Sequence, residues 1–177
     1  LKLSVFDAGT QRQALQQLAE LAQRSFKHPL IVAAADLITA DCAGDDECEV
    51  TAVFEAVKHG DSRVRGLNNG VRYLADPSWA DYFTAPYRLL EMCERGACAE
   101  DCDGHTMLIV ALLGARGFPV GLRVWGRSHN NYVHVYPVVG FPRDDPTNVL
   151  GLDTTVDESS VGWQPLSGEV ATAWIRP

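Results

Sequence analysis

The sequence predicts an α+β fold, on three observations. Helical periodicity fills its first third, a helix apolar on all sides begins at Cys102, and three strand-like runs follow. Helices first and strands afterwards place a central helix against an antiparallel sheet, with helices from the first 60 residues packed around it.

Residues 11–26 set Leu15, Leu18, Leu21, Ala22 and Phe26 on one stripe, with Thr10 as the expected N-cap and glutamines on the other face. Pro29, favoured in a first turn, opens a second helix through Leu30, Ala34, Leu37 and Ile38, which ends before the Gly44 turn. A third helix, 47–59, buries Val50, Val53, Phe54 and Val57 and stops at Gly60. From Asp61 to Pro86 the pattern loosens into loops and short helices, with turns at Asn68-Asn69-Gly70 and Asp76-Pro77 around a short apolar segment, Val71 to Leu74. Residues 102–116 form the apolar helix, stopped by Gly117 and Pro119. Strands are expected at 120–125, 132–139 and 149–155.

At 177 residues and 46% hydrophobic, the chain is long enough for one domain with a sizeable core and short for two. A net charge of −8 repels a phosphate backbone, so nucleic acid is not expected as a partner. No apolar run reaches the roughly 18 residues a membrane span needs, so no membrane partner is expected and the cytoplasm is the default compartment. The five cysteines, Cys42, Cys48, Cys93, Cys98 and Cys102, are an odd number, so at least one thiol is free. Cys42 and Cys48 flank an acidic turn and read as small buried thiols rather than a local disulfide. Cys93, Cys98 and Cys102 lie close together, but there is no C-x2-C pair and no histidine at finger spacing, so neither a structural metal nor a cofactor is expected.

Nucleophilic chemistry is where these residues point. A thiolate is stabilised at a helix N-terminus, and Cys102 has that position. It needs an imidazole to take its proton and a third group to hold that ring. His134, in Tyr132-Val133-His134-Val135-Tyr136, and Asp153, in Gly151-Leu152-Asp153-Thr154-Thr155, come from separate later elements and suit these roles. Asp153 also reads as an ordinary turn residue at a strand end. Cys98 lies one helical turn before Cys102 and reads as structural. His105, three residues past Cys102, meets it on a helix face, although a base that must also reach an acid normally comes from another element. His129 reads as solvated in a turn, and His28 and His59 carry no supporting pattern. Asp101 and Asp103 suit a cap but oppose a thiolate. Tyr73, Trp79 and Tyr87 are candidates for groove or core packing.

The segment Asp101-Cys102-Asp103-Gly104-His105, with Leu112-Leu113 and Arg116-Gly117-Phe118-Pro119-Val120, resembles the transglutaminase-like superfamily, a papain-related group whose nucleophile cysteine opens a helix ending in a Gly-hydrophobic-Pro turn. His134-Val135-Tyr136 is similar to that group's histidine strand, and Leu152-Asp153-Thr154-Thr155 to its aspartate strand. Val71-Arg72-Tyr73 with Asp76-Pro77, and Gly162-Trp163, resemble accessory features of short stand-alone members, many of them encoded among phage and prophage genes. The likeness is best over residues 71–165, while residues 1–60 match only in being helical.

The resemblance implies a single transglutaminase-like domain over residues 1–177, with catalytic triad Cys102, His134 and Asp153. Its activity would be that of a thiol enzyme acting on an amide or isopeptide bond of a protein or peptide through an acyl-enzyme. Hydrolysis is preferred over transamidation. The alternative is a structural or assembly protein of a phage particle that uses the same fold without catalysis, with other phage structural proteins as partners and the virion as its location.

Overall fold

In the computed structural model, which describes residues 8–75, 83–128 and 131–175, the first helix, α1 (Ala8–Ser25), begins earlier than its apolar stripe suggests, so Thr10 lies inside it rather than at its cap. Its inner side is Leu18, Ala22 and, just past the end, Phe26, all buried. Helix α2 (Pro29–Ile38) starts at the expected proline, and His28 caps it by accepting the Leu30 N–H at Nδ1. Ile31, Ala34, Ala35 and Ile38 face inward, while Leu37, expected on that face, is 44% exposed. Helix α3 (Asp46–Lys58) is capped by Asp45, whose carboxylate accepts the Cys48 N–H at 2.8 Å, and it buries the four apolar residues its periodicity marks. Gly60 stops the chain there with φ +107°; a Cβ would strike the Asn68 carbonyl.

The 61–75 stretch is turns plus a two-residue strand, β1 (Arg72–Tyr73), parallel to β2 (Ala99–Glu100). The Asp76-Pro77 turn and Trp79 lie outside the described residues. Between the two strands runs α4 (Pro86–Glu94), which the sequence reading did not identify; Pro86 sits in its first turn and Leu89, Leu90 and Cys93 form its buried side.

Helix α5 (Cys102–Ala115) is the centre of the molecule, buried from Cys102 to Gly114 and touching each of the other four helices as well as the sheet. An all-round apolar sequence is what such a position requires. At Gly114 the absent side chain lets the Phe26 ring approach to where a Cβ would lie 2.4 Å away, so α1 and α5 close on each other.

The sheet has four antiparallel strands, one more than expected: β3 (Val120–Ser128), β4 (Asn131–Phe141), β5 (Asn148–Gly151) and β6 (Glu169–Ile175), in the order β5-β4-β3-β6. Strand β5 ends at Gly151, so Asp153 stands two residues past it rather than in it. Val124 and Val135 pair across β3 and β4 and belong to the core, whereas Trp125 pairs with His134 on the opposite face. Among the described residues no helix is long and apolar enough to cross a membrane.

Candidate active site

Cys102 is the first residue of α5 and is 5% exposed. Asp101 caps the helix through Oδ1, which accepts the Asp103 N–H at 3.1 Å. Cys42 is joined to Cys48 and Cys93 to Cys98, so Cys102 is the one free thiol. The first pairing corrects the expectation of buried thiols at Cys42 and Cys48. A six-residue spacing across the turn at Ala43 and Gly44, both at positive φ, brings those Cα atoms to 5.4 Å, inside the range a disulfide spans. The second pairing gives Cys98 the structural role expected of it and removes two of the three thiolates a zinc site there would need.

His134 and Asp153 meet at the open edge of β4. The Pro137 carbonyl takes the Leu152 N–H at 2.9 Å, after which the chain turns away from the sheet. Two residues back along β4, the Val135 carbonyl points to the same side and receives the Thr106 hydroxyl instead, at 3.2 Å. Thr106 is one helical turn on from Cys102, so the start of α5 fills the gap that β5 leaves beside His134. In that gap His134 Nε2 lies 2.6 Å from Asp153 Oδ2. With Nε2 so engaged, Nδ1 is the ring nitrogen left to face a thiol.

Asp153 is 1% exposed and doubly held. Its Oδ1 accepts the Thr155 N–H at 2.9 Å and the Thr155 hydroxyl at 2.7 Å, the pattern of an Asx turn, while Oδ2 serves His134. Turn residue and histidine partner were alternatives in the sequence; one carboxylate does both, an oxygen to each. Burial alone would raise its pKa, but the His134 and Thr155 hydrogen bonds hold it below the usual carboxylate range.

His105 is tied to the segment that carries Asp153. Its Nδ1 lies 2.9 Å from Thr154 Oγ1, bracing the residue next to Asp153, and the ring is 2% exposed. Burial pushes its pKa down to about 4, against the Arg72 backbone and the Asp153 charge, which favour protonation. In the unfolded chain the same group titrates near 6.5, so between pH 6.5 and 4 the unfolded state binds a proton that the folded state refuses. Stability is therefore expected to fall as pH drops through that window, by on the order of 3 kcal/mol from this residue. Thermal melts from pH 7 to 4 should show a shallower decline in a His105→Gln variant than in the wild type.

The other singled-out residues lie elsewhere. His28 stacks on Tyr87 with ring centroids 4.1 Å apart, and the exposed His59 lies 3.7 Å from Glu55. Tyr73 is half exposed, 6.4 Å from the His105 ring. His129 lies outside the described residues. Tyr136, which the sequence reading left out of the site, stacks against His134 with centroids 6.1 Å apart. It occupies the i+2 position of the same strand face, a signal that was there to be read.

Glu100, Asp101 and Asp103 bring their carboxylate oxygens within 4.8 Å of one another around the first turn of α5, all buried. Glu100 lies across Gly104, where a Cβ would be 2.6 Å from its own. Any negative charge on these groups opposes the positive end of the α5 dipole at its first turn. Compared with known protein families and with curated proteins, the chain finds no matching family model and no matching protein.

Proposed function

We propose that this domain is a cysteine hydrolase of the transglutaminase-like kind, cutting an amide or isopeptide bond through an acyl-enzyme on Cys102. The observation that carries the reading is the 2.6 Å His134–Asp153 contact, built at the sheet edge against the opening turns of the helix that the one free thiol begins. Cys102 Sγ gives its proton to His134 Nδ1 and attacks the carbonyl carbon; the amine leaves with that proton, and a thioester remains. His134 then takes a proton from water, whose oxygen attacks the thioester carbon; the C–S bond breaks, the carboxylic acid leaves, and the imidazolium returns the proton to the Cys102 sulfur. An amine in place of water gives transamidation. The Cys102 backbone N–H, at the helix start, is one oxyanion donor by position.

Disulfides persist in oxidising compartments, virion and cell surfaces included. The pairs Cys42–Cys48 and Cys93–Cys98 therefore favour an exported or virion-borne site of action over the cytoplasm. Without reductant, a thiol titration of the unfolded protein should count one thiol per chain. In the native state, alkylation of Cys102 should have its midpoint well below the free-thiol value of about 8.5, and His134→Ala should abolish that advantage. A midpoint near 8.5 with or without His134 would sink the enzyme reading and leave a scaffold role in a phage particle.

A further inference from the structure

We infer that Lys58 is a positioning residue for the proposed triad, acting from α3 through the 153–159 loop to set Asp153 against His134. The inference rests on the enzyme reading above. Lys58 is the last residue of α3, and its ammonium lies among four oxygens of one distant loop. These are the Val156 and Asp157 carbonyls at 3.0 Å each, the Ser159 carbonyl at 2.6 Å and the Ser159 hydroxyl at 2.9 Å. Its stem passes Phe54, with Nζ 5.4 Å from the ring centre. None of these four partners is a carboxylate. The charge is spent on backbone dipoles, three of which converge on a single point and would repel one another if the ammonium were removed.

The loop is closed around that point. Ser159 Oγ accepts from Lys58 and shares its one proton between the Asp153 carbonyl and the Val156 carbonyl, the latter at 2.8 Å, and the Ser159 N–H returns to the Val156 carbonyl at 3.1 Å. A chain of contacts therefore runs from the Lys58 ammonium through the Ser159 hydroxyl to the main chain of Asp153. The Asp153 carboxylate continues it to His134 Nε2. His105 braces the same loop from the α5 side through Thr154. What Lys58 adds is a direct anchor from α3 to the loop. A displacement of about 1 Å in a catalytic group costs on the order of 100-fold, so loosening this anchor should be felt at the thiol without unfolding the domain.

The test is Lys58→Met, which keeps the length and apolar stem and removes the ammonium, measured beside Ser159→Ala, wild type and His134→Ala. Alkylation of Cys102 by iodoacetamide is followed against pH, with thermal melts and the low-field proton resonance of the His134–Asp153 hydrogen bond. Lys58→Met is expected to stay folded, to react at pH 7 about 10- to 100-fold more slowly, to move the alkylation profile to higher pH and to lose the low-field resonance. Ser159→Ala should move in the same direction by less. If the wild-type profile depends on His134 but Lys58→Met and Ser159→Ala superimpose on it, the inference is wrong even where the melts have dropped. If Lys58→Met fails to fold, an unchanged Ser159→Ala profile and resonance overturns the inference by itself. A wild-type profile indifferent to His134 is a failure of the enzyme reading, distinct from either result.

Discussion

On the proposed mechanism, replacing Asp153 by asparagine leaves the domain folded and lowers turnover on the order of 10³- to 10⁴-fold. The reasoning is one of tautomers. The Thr155 N–H and hydroxyl both donate to Oδ1, so the amide oxygen of an asparagine is retained on that side and its NH₂ turns toward His134. A ring nitrogen facing a donor must accept. Nε2 would then lose its proton and Nδ1 would carry it, so in the proposed mechanism the nitrogen assigned to the thiol would be a donor with no capacity to take its proton. The imidazolium would also lose the carboxylate that stabilises it. Cys102 alkylation should therefore shift to higher pH, with a midpoint approaching that of a free thiol at about 8.5. In the wild type the carboxylate stays charged through the neutral range, because its partners hold its pKa below the usual value. The stabilisation it confers is present above pH 4 and lost only as pH falls through that depressed value. An unchanged alkylation profile together with a lower melting temperature would assign Asp153 to the turn alone.

How much of this site the sequence displays depends on the kind of residue involved. Helix α5 announces itself, because a capping aspartate, an unbroken apolar run and a Gly117–Pro119 stop are all local signals. His134 and Asp153 are legible as motif residues, but the end of β5 before Asp153 is not, since Leu152, Asp153 and Thr154 are buried as if the strand continued. Strand β6 is hidden for a physical reason: its inward positions include Ala171 and Ala173, while Val170 and Trp174 point outward and invert the hydrophobic pattern. Helix α4 did carry signals, a first-turn Pro86 and buried side chains at Leu89, Leu90 and Cys93. Both disulfides are local, and the odd cysteine count obscured them. Lys58 could not have been found at all: its partners are mostly main-chain carbonyls about 100 residues away, and a backbone carbonyl leaves no trace in residue identity.

Substituting Glu49 is expected to cost stability rather than chemistry, by about 3 kcal/mol or more for Glu49→Ala. Glu49 is fully buried in α3, and its two oxygens accept Arg116 Nε and Nη2 at 3.1 Å each, a bidentate pair between α3 and the end of α5. Arg143, beyond β4, adds Nη1 at 3.4 Å from the same carboxylate, donates to the Arg116 carbonyl at 2.7 Å and lies over the Phe118 ring. Asp36 and Asp46 complete the network from α2 and α3, but Asp36 is 60% exposed and contributes less. Removing Glu49 leaves the Arg116 guanidinium facing a buried void with only the largely exposed Asp36 beside it, while Arg143 keeps Asp46; stranding that charge is more costly than never having built the pair. For a domain of this length the melting temperature should drop by about 6–12 °C. Replacing both members, Glu49→Leu with Arg116→Met, should recover part of the loss, because the desolvation cost of the ions goes with them. In each variant that remains folded, the alkylation profile of Cys102 should overlay the wild type, since the network ties α2, α3, the end of α5 and the β4–β5 connection without touching the 153–159 loop. A loss below about 1 kcal/mol would mean that the network behaves as a surface ion pair. A shifted profile would mean that Glu49 reaches the site by a path other than Lys58.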